Sequence, residues 1–188
     1  MSDTTQFLPT ELPGVLIIEP KVFSDERGFF LETWQAERYA AHGIPSAFVQ
    51  DNHSRSLRDT LRGLHANARR PQGKLVRVIE GEVFDVAIDI RVGSPTFGKW
   101  TGIRLSAESF RQVWVPEGFA HGFCVLSAAA QVEYKVTDLY DPDGDLYIAW
   151  NDPAIGIGWP LTRAPLLSAR DRTAPLLHEL LDRLPRHR

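Results

Sequence analysis

An imidazole and an ammonium share one short stretch of this chain, Leu61-Arg-Gly-Leu-His65-Ala-Asn-Ala-Arg-Arg-Pro-Gln-Gly-Lys74-Leu-Val-Arg-Val78. A histidine can take a proton from carbon or oxygen near neutral pH. A lysine beside it can hold a developing negative charge. Such a pair points to proton transfer if the chain also supplies a second proton carrier, a carboxylate to orient the imidazole, and a pocket.

The elements that would position them are strands. Apolar, β-branched runs predict strands over residues 15–18, 29–34, 48–52, 61–66, 74–79, 83–90, 100–105, 112–115, 123–126, 131–138 and 147–150. Turn residues separate them, as at Glu80-Gly81, Gly93-Ser94-Pro95, Pro116-Glu117-Gly118 and Pro142-Asp143-Gly144, and a polar turn with Gly28 follows Ser24. Many short strands at this spacing mean an all-β sandwich or barrel. Residues 35–42 hold helix formers and stop at Gly43, a natural C-terminal cap. Leu176, Leu177, Leu180, Leu181 and Leu184 form a helical stripe, which predicts a short amphipathic helix over 175–184. Composition does not break anywhere, so residues 1–188 read as one domain.

At 188 residues, 43% hydrophobic and 24% charged, the chain can bury one full core. Its net charge of -3 argues against a general nucleic-acid binder, which would be basic. Cys124 is the single cysteine, so no disulfide forms within the chain. No apolar run approaches the roughly 18 residues of a membrane span, and the first residues lack the pattern of a signal peptide. A cytoplasmic protein with no membrane or nucleic-acid partner is expected.

Strand alternation tells which polar side chains turn inward. Tyr134 shares its face with Val132 and Val136, His121 with Phe123 and Val125, and Lys74 with Val76 and Val78. Each has a plain structural reading: a ring that packs, a satisfied core histidine, a lysine whose head snorkels to water. Together they suggest a polar pocket inside the β fold. Arg62 and His65 lie three apart, which a regular pleat puts on opposite faces. For both to serve one pocket, Gly63 must mark a bulge or bend.

Pro116-Glu-Gly-Phe-Ala-His121 looks like the second short motif of the cupin superfamily. Many cupins hold a metal with a His-x-His pair on the first motif. Here that place reads His65-Ala-Asn67, which with Lys74 nearby makes a poor divalent site, so no metal is expected.

From about Gly14 to Asp171 the chain resembles the dTDP-4-dehydrorhamnose 3,5-epimerases. The matching segments are Asp25-Glu-Arg-Gly-Phe-Phe-Leu-Glu32, Gln50-Asp-Asn-His-Ser-Arg-Ser56, Leu61-Arg-Gly-Leu-His65, Gly73-Lys-Leu-Val-Arg77, Gly81-Glu-Val-Phe-Asp-Val-Ala-Ile-Asp-Ile-Arg91, Pro116-Glu-Gly-Phe-Ala-His-Gly-Phe123, Tyr134-Lys-Val-Thr137 and Trp150-Asn-Asp-Pro153. The resemblance implies a cupin-type β-barrel (jelly roll) with a few short peripheral helices, usually a homodimer. It implies a dTDP-4-keto-6-deoxyhexose substrate inverted at C3 and C5 through an enolate, with no cofactor. His65 matches the family's base, Tyr134 its acid, Asp171 the carboxylate that orients the His, and Lys74 the group facing the enolate oxygen. Arg27, Glu32, Gln50, Asn52, Arg62, His121 and Arg170 match positions that hold nucleotide, diphosphate or sugar. Tyr140 matches an aromatic that stacks on thymine. Arg27 and Glu32 lie on a stretch that in this family can serve the neighbouring subunit.

Three departures stand out. The family usually places an aromatic and then Gln directly after the His, where this chain has Ala66 and Asn67. Asp145 stands where many members carry Glu. Arg69 and Arg70 add two basic groups near the mouth. Two alternatives therefore stay open: a C3-only epimerase or ketoisomerase on a related nucleotide sugar, and a non-catalytic or metal-binding cupin.

Overall fold

The computed structural model describes residues 4–187. In chain order its strands and α-helices are β1 (Gln6–Pro9), β2 (Leu16–Glu19), β3 (Val22–Asp25), β4 (Gly28–Leu31), α1 (Ala36–Ala40), β5 (Gln50–Leu57), β6 (Leu61–Asn67), β7 (Lys74–Glu80), β8 (Glu82–Asp89), β9 (Trp100–Ser106), β10 (Gln112–Val115), β11 (Phe119–Val125), β12 (Ala129–Val136), β13 (Asp145–Tyr147) and α2 (Ala169–Arg172). One antiparallel sheet runs β1-β2-β10-β7-β12-β5 and a second runs β13-β6-β11-β8-β9. β3 and β4 form a separate hairpin. This is a cupin-type jelly roll in which the two ladders stay separate rather than joining into one closed barrel.

Period-2 alternation builds the core. Val76 and Val78 of β7, Val113 and Val115 of β10 and Val132 of β12 meet Val83, Ile103, Leu105, Phe123 and Val125 from the other sheet. Each such side chain contributes roughly 1.5–3 kcal/mol on burial, so this layer, not the short helices, holds the sheets together. The outer faces are covered as well. Tyr39 of α1 packs with Ile18, Leu75 and Trp114 on the larger sheet. Leu177, Leu180 and Leu184 pack with Leu64, Ile88 and Ile148 on the smaller one.

Several elements depart from the sequence reading. The helix expected over 35–42 is only α1, with Gln35 as N-cap, and Gly43 closes it at φ +78°. The strand expected over 29–34 ends at Leu31 and belongs to the β3–β4 hairpin. The leucine stripe forms a 3-10 turn, Leu177–Leu180, in place of an amphipathic α-helix. Pro175 and Pro185 bound this segment, and its hydrogen bonds close the tighter pattern, Glu179 N–H to the Leu176 carbonyl and Arg183 N–H to the Leu180 carbonyl. Its leucines still bury as the stripe implied, although Leu181 stays 42% exposed. The strand expected over 147–150 starts two residues earlier and ends at Tyr147, as β13 against β6. Among the described residues no helix is long and apolar enough to cross a membrane.

Candidate active site

The chain bends where the Arg62–His65 spacing requires it. β6 and β11 pair His65 with His121 and Arg62 with Phe123, so Gly63 and Leu64 stand against Gly122 alone. That is a β-bulge. Gly63 has φ +135°, and a Cβ there would lie 2.5 Å from the Gly122 Cα. Only glycine accepts both that conformation and that approach. The bulge brings Arg62 and His65 to the wall of one cavity.

Two cavities meet at His65. One, of about 320 Å³, lies between the sheets and is lined by His65, Lys74, Tyr134, Gln50, Asn52, Tyr140 and Asp145. The other, of about 540 Å³, is lined by His65, Arg62, Arg170 and Asp171. Tyr147 lines both.

His65 is held from the side by Asp171. Its Nε2 lies 2.5 Å from Asp171 Oδ1, and the carboxylate is almost wholly buried while the imidazole is 37% exposed. A carboxylate there fixes the proton on Nε2 and leaves the Nδ1 lone pair to act as base. Asp171 is fixed in turn by Ser168, the N-cap of α2. The Ser168 Oγ donates to Asp171 Oδ2 at 2.8 Å and accepts from the Asp171 amide. Burial pushes the Asp171 carboxyl up, but the bonds from His65 and Ser168 outweigh it and hold the group below the usual range. Asp171 is therefore charged at neutral pH.

Lys74 begins β7 as a buried residue, and its Nζ donates to the His65 carbonyl at 3.4 Å. Burial lowers its pKa to about 8, with Asp85 and Asp145 pulling the other way. It thus carries its charge at pH 7 as a buried group on the cavity wall, where a cation acts strongly on a nearby oxyanion. Tyr134 packs against the core and lines the smaller cavity. Burial raises its hydroxyl, so it keeps its proton, and Arg62 offsets part of that shift.

The remaining candidates fall into two groups. Gln50 Nε2 donates to Asn52 Oδ1, and Gln50 Oε1 accepts from the Tyr140 amide. Asp145 Oδ2 accepts from the hydroxyls of Tyr140 at 2.7 Å and Tyr147 at 3.2 Å. Arg62 Nε donates to Ser56. These residues surround the cavities. Three do not. His121 is buried beside His65, its partner across the β6–β11 ladder, and bonds to Asp85 at 2.8 Å. Arg27 pairs with Asp25 and Glu32 pairs with Arg38, both away from either cavity of their own chain. Among the described residues, no three His, Cys, Asp or Glu side chains gather as metal ligands.

The departures after His65 also find their places. Ala66 packs with Leu64 against the cluster on the outer face of the smaller sheet and also borders the smaller cavity next to His65. The ring beside His65 belongs to Tyr147, with centroids 4.9 Å apart at 70°. Asn67 is buried and ties the next turn, accepting from the Arg69 and Arg70 amides and donating to the Asp141 carbonyl. Arg69 and Arg70 are not free cations, since they pair with Asp141, Asp143 and Asp138 across the mouth. Sequence reasoning missed Ser168 and Tyr147. The Ser-x-x-Asp spacing of Ser168 and Asp171 is a capping signal that could have revealed the first. The second depends on the pairing of β13 with β6, for which no local signal exists.

A jelly roll of cupin type, with a His–carboxylate pair, a buried lysine and a half-buried tyrosine around one cavity, is built as an acid–base enzyme. The family model for dTDP-4-dehydrorhamnose 3,5-epimerase matches residues 9–179. The chain belongs to that family. It is 58% identical over 162 residues to a dTDP-4-dehydrorhamnose 3,5-epimerase of Pseudomonas aeruginosa, covering 86% of this chain and 90% of that one. A Neisseria gonorrhoeae protein of the same name is 57% identical over 164 residues, 87% of this chain but 50% of that protein. A crystal structure of the Legionella pneumophila dTDP-6-deoxy-D-glucose-3,5-epimerase with dTDP-4-keto-L-rhamnose superposes at a TM-score of 0.96. It is 52% identical and covers 98% of this chain and 99% of that one.

Proposed function

We propose that the protein inverts C3 and C5 of a dTDP-4-keto-6-deoxyhexose, as a step in making a dTDP-rhamnose-type sugar. The observation that carries this is the His65–Asp171 pair, which opens onto the same cavity as Lys74 and Tyr134. The C4 ketone acidifies the hydrogens on C3 and C5, because loss of either leaves an enolate on the C4 oxygen. His65 takes the proton, Asp171 stabilises the resulting imidazolium, and Lys74 faces the enolate oxygen. Tyr134 returns a proton to the opposite face, which inverts the carbon. Electrons and protons balance without a redox partner, so the reading asks for no cofactor and no metal.

Arg62 and Arg170, on the wall of the larger cavity, would hold the diphosphate, a task that suits guanidinium geometry. Gln50, Asn52, Tyr140 and Asp145 would hold sugar and base, with Tyr140 half exposed for stacking on thymine. His121, on the same face of the sheet as His65, would brace the site from beside the base. We further infer a cytoplasmic homodimer of single-domain chains. The β3–β4 hairpin supports the pairing. It exposes Phe23, Phe29 and Phe30 and carries Arg27 away from its own cavities, a form suited to serving a second copy's site.

Incubation with dTDP-4-keto-6-deoxyglucose in D2O should place deuterium at both C3 and C5. Absence of exchange at either carbon would remove the reading. A Streptomyces niveus relative named a 3-epimerase is 43% identical over 176 residues. Label at C3 with C5 unlabelled would move this chain to that activity.

A further inference from the structure

We propose that Tyr147 is a positioning residue that ties the base to the phosphate-holding arginine. The inference rests on the function proposed above and deepens it. Tyr147 stands directly opposite His65 in the β13–β6 ladder, so both side chains leave the sheet on the same face. Its ring packs across the imidazole at 4.9 Å. Its hydroxyl accepts from Arg170 Nη1 at 2.8 Å and donates to Asp145 Oδ2 at 3.2 Å. The Arg170 guanidinium also sits 5.5 Å from the centroid of the same ring.

These contacts close a circuit. His65 bonds to Asp171, Asp171 is joined by backbone to Arg170 within α2, Arg170 bonds to Tyr147, and Tyr147 packs on His65. α2 is a single turn, held on its inner side by the bonds of Asp171 to His65 and Ser168. Tyr147 adds a hold on Arg170 from a sheet strand. Arg170 has a side chain 66% exposed and reaches Asp145 only at 3.5 Å, so the Tyr147 hydroxyl is its shortest tether. Ring and hydroxyl therefore do separable work: the ring sets the imidazole, and the hydroxyl aims the guanidinium into the larger cavity.

The test splits these two parts. Tyr147→Phe keeps the ring and removes the tether. It should weaken dTDP binding about fivefold by calorimetry, while keeping a kcat well above that of Tyr147→Leu. Tyr147→Leu removes the ring too, and its kcat should fall at least about tenfold, the scale of a small misplacement of a reacting group. A residue that only stabilised the fold would lower the melting temperature in both without separating affinity from kcat. Unchanged dTDP affinity in Tyr147→Phe overturns the tether, and wild-type kcat in Tyr147→Leu overturns the positioning of His65. Should Tyr147→Leu fail to fold, the affinity of Tyr147→Phe decides alone. Binding of dTDP involves no proton transfer. A wild-type protein that binds dTDP but exchanges no deuterium therefore counts against the proposed reaction and leaves the tether result standing.

Discussion

Two His–carboxylate pairs lie side by side on the smaller sheet, and they are built for different work. His65 and His121 are partners across the β6–β11 ladder. His65 meets Asp171 with 37% of its side chain exposed, beside two cavities. His121 meets Asp85 with 7% and 1% exposed, and Asp85 Oδ1 has no hydrogen-bond partner among the described residues. The carboxylate of the open pair is fully satisfied by Ser168 and His65, whereas that of the sealed pair is not. The pair that can exchange a proton with a ligand is braced on every oxygen. The sealed pair is left one bond short, and the charge of Asp85 favours the protonated form of Lys74.

The largest effect that separates the two pairs is on chemistry. His65→Asn should lose both deuterium exchange and epimerisation by about 10³-fold, within the range for removing a general base. Asp171→Asn should follow it closely, because the amide no longer favours the tautomer with Nδ1 free. Asp85→Asn should instead cost stability, roughly 1–3 kcal/mol in urea unfolding, since it disturbs a buried bond without touching a cavity. Equal loss of exchange in His65→Asn and in Asp85→Asn, at unchanged stability of the latter, would break the distinction.

Tyr134 gives the next test. It keeps its proton because burial raises its hydroxyl, and it faces the open pair across the cavity. Tyr134→Phe should cut product formation by about 10²-fold while exchange of substrate hydrogens, the step proposed for His65, persists at a higher fraction of wild type. Parallel loss of both in a D2O time course would remove Tyr134 as the acid and leave only one proton carrier in the cavity.

How much of this was legible in the sequence follows from how local each signal is. The inward turns of Tyr134, Lys74 and His121 came from alternation, and the three do share the interior. The bulge at Gly63 followed from a three-residue spacing and a glycine, and it stands where that arithmetic placed it. Alternation shows that both histidines point inward, but not that one meets a cavity while the other meets Asp85. The substrate-binding expectation for His121 rests on its match to a family position, not on alternation. The pairing of β13 with β6 joins segments about eighty residues apart, a contact no local pattern encodes, and Tyr147 was hidden with it. The leucine stripe marked the side that buries Leu177, Leu180 and Leu184 but not the helix type, because apolar spacing does not say which hydrogen-bond pattern the backbone closes.

Lys74 lies between the two pairs and reports on both. Its Nζ touches the His65 carbonyl, while Asp85 of the sealed pair and Asp145 of the cavity rim favour its charged form against burial. With a pKa of about 8, it is mostly protonated at pH 7 and mostly neutral at pH 9. Neutral lysine cannot offset the charge of an enolate, so kcat should fall above pH 8, approaching tenfold per pH unit. A flat kcat from pH 7 to 9.5 would show that the ammonium does not act on the transition state. Asp85→Asn then sharpens the comparison. Removing that carboxylate removes a force that raises the lysine pKa, so the alkaline fall should begin at lower pH. In this way the charge of the sealed pair would reach the chemistry proposed for the open one.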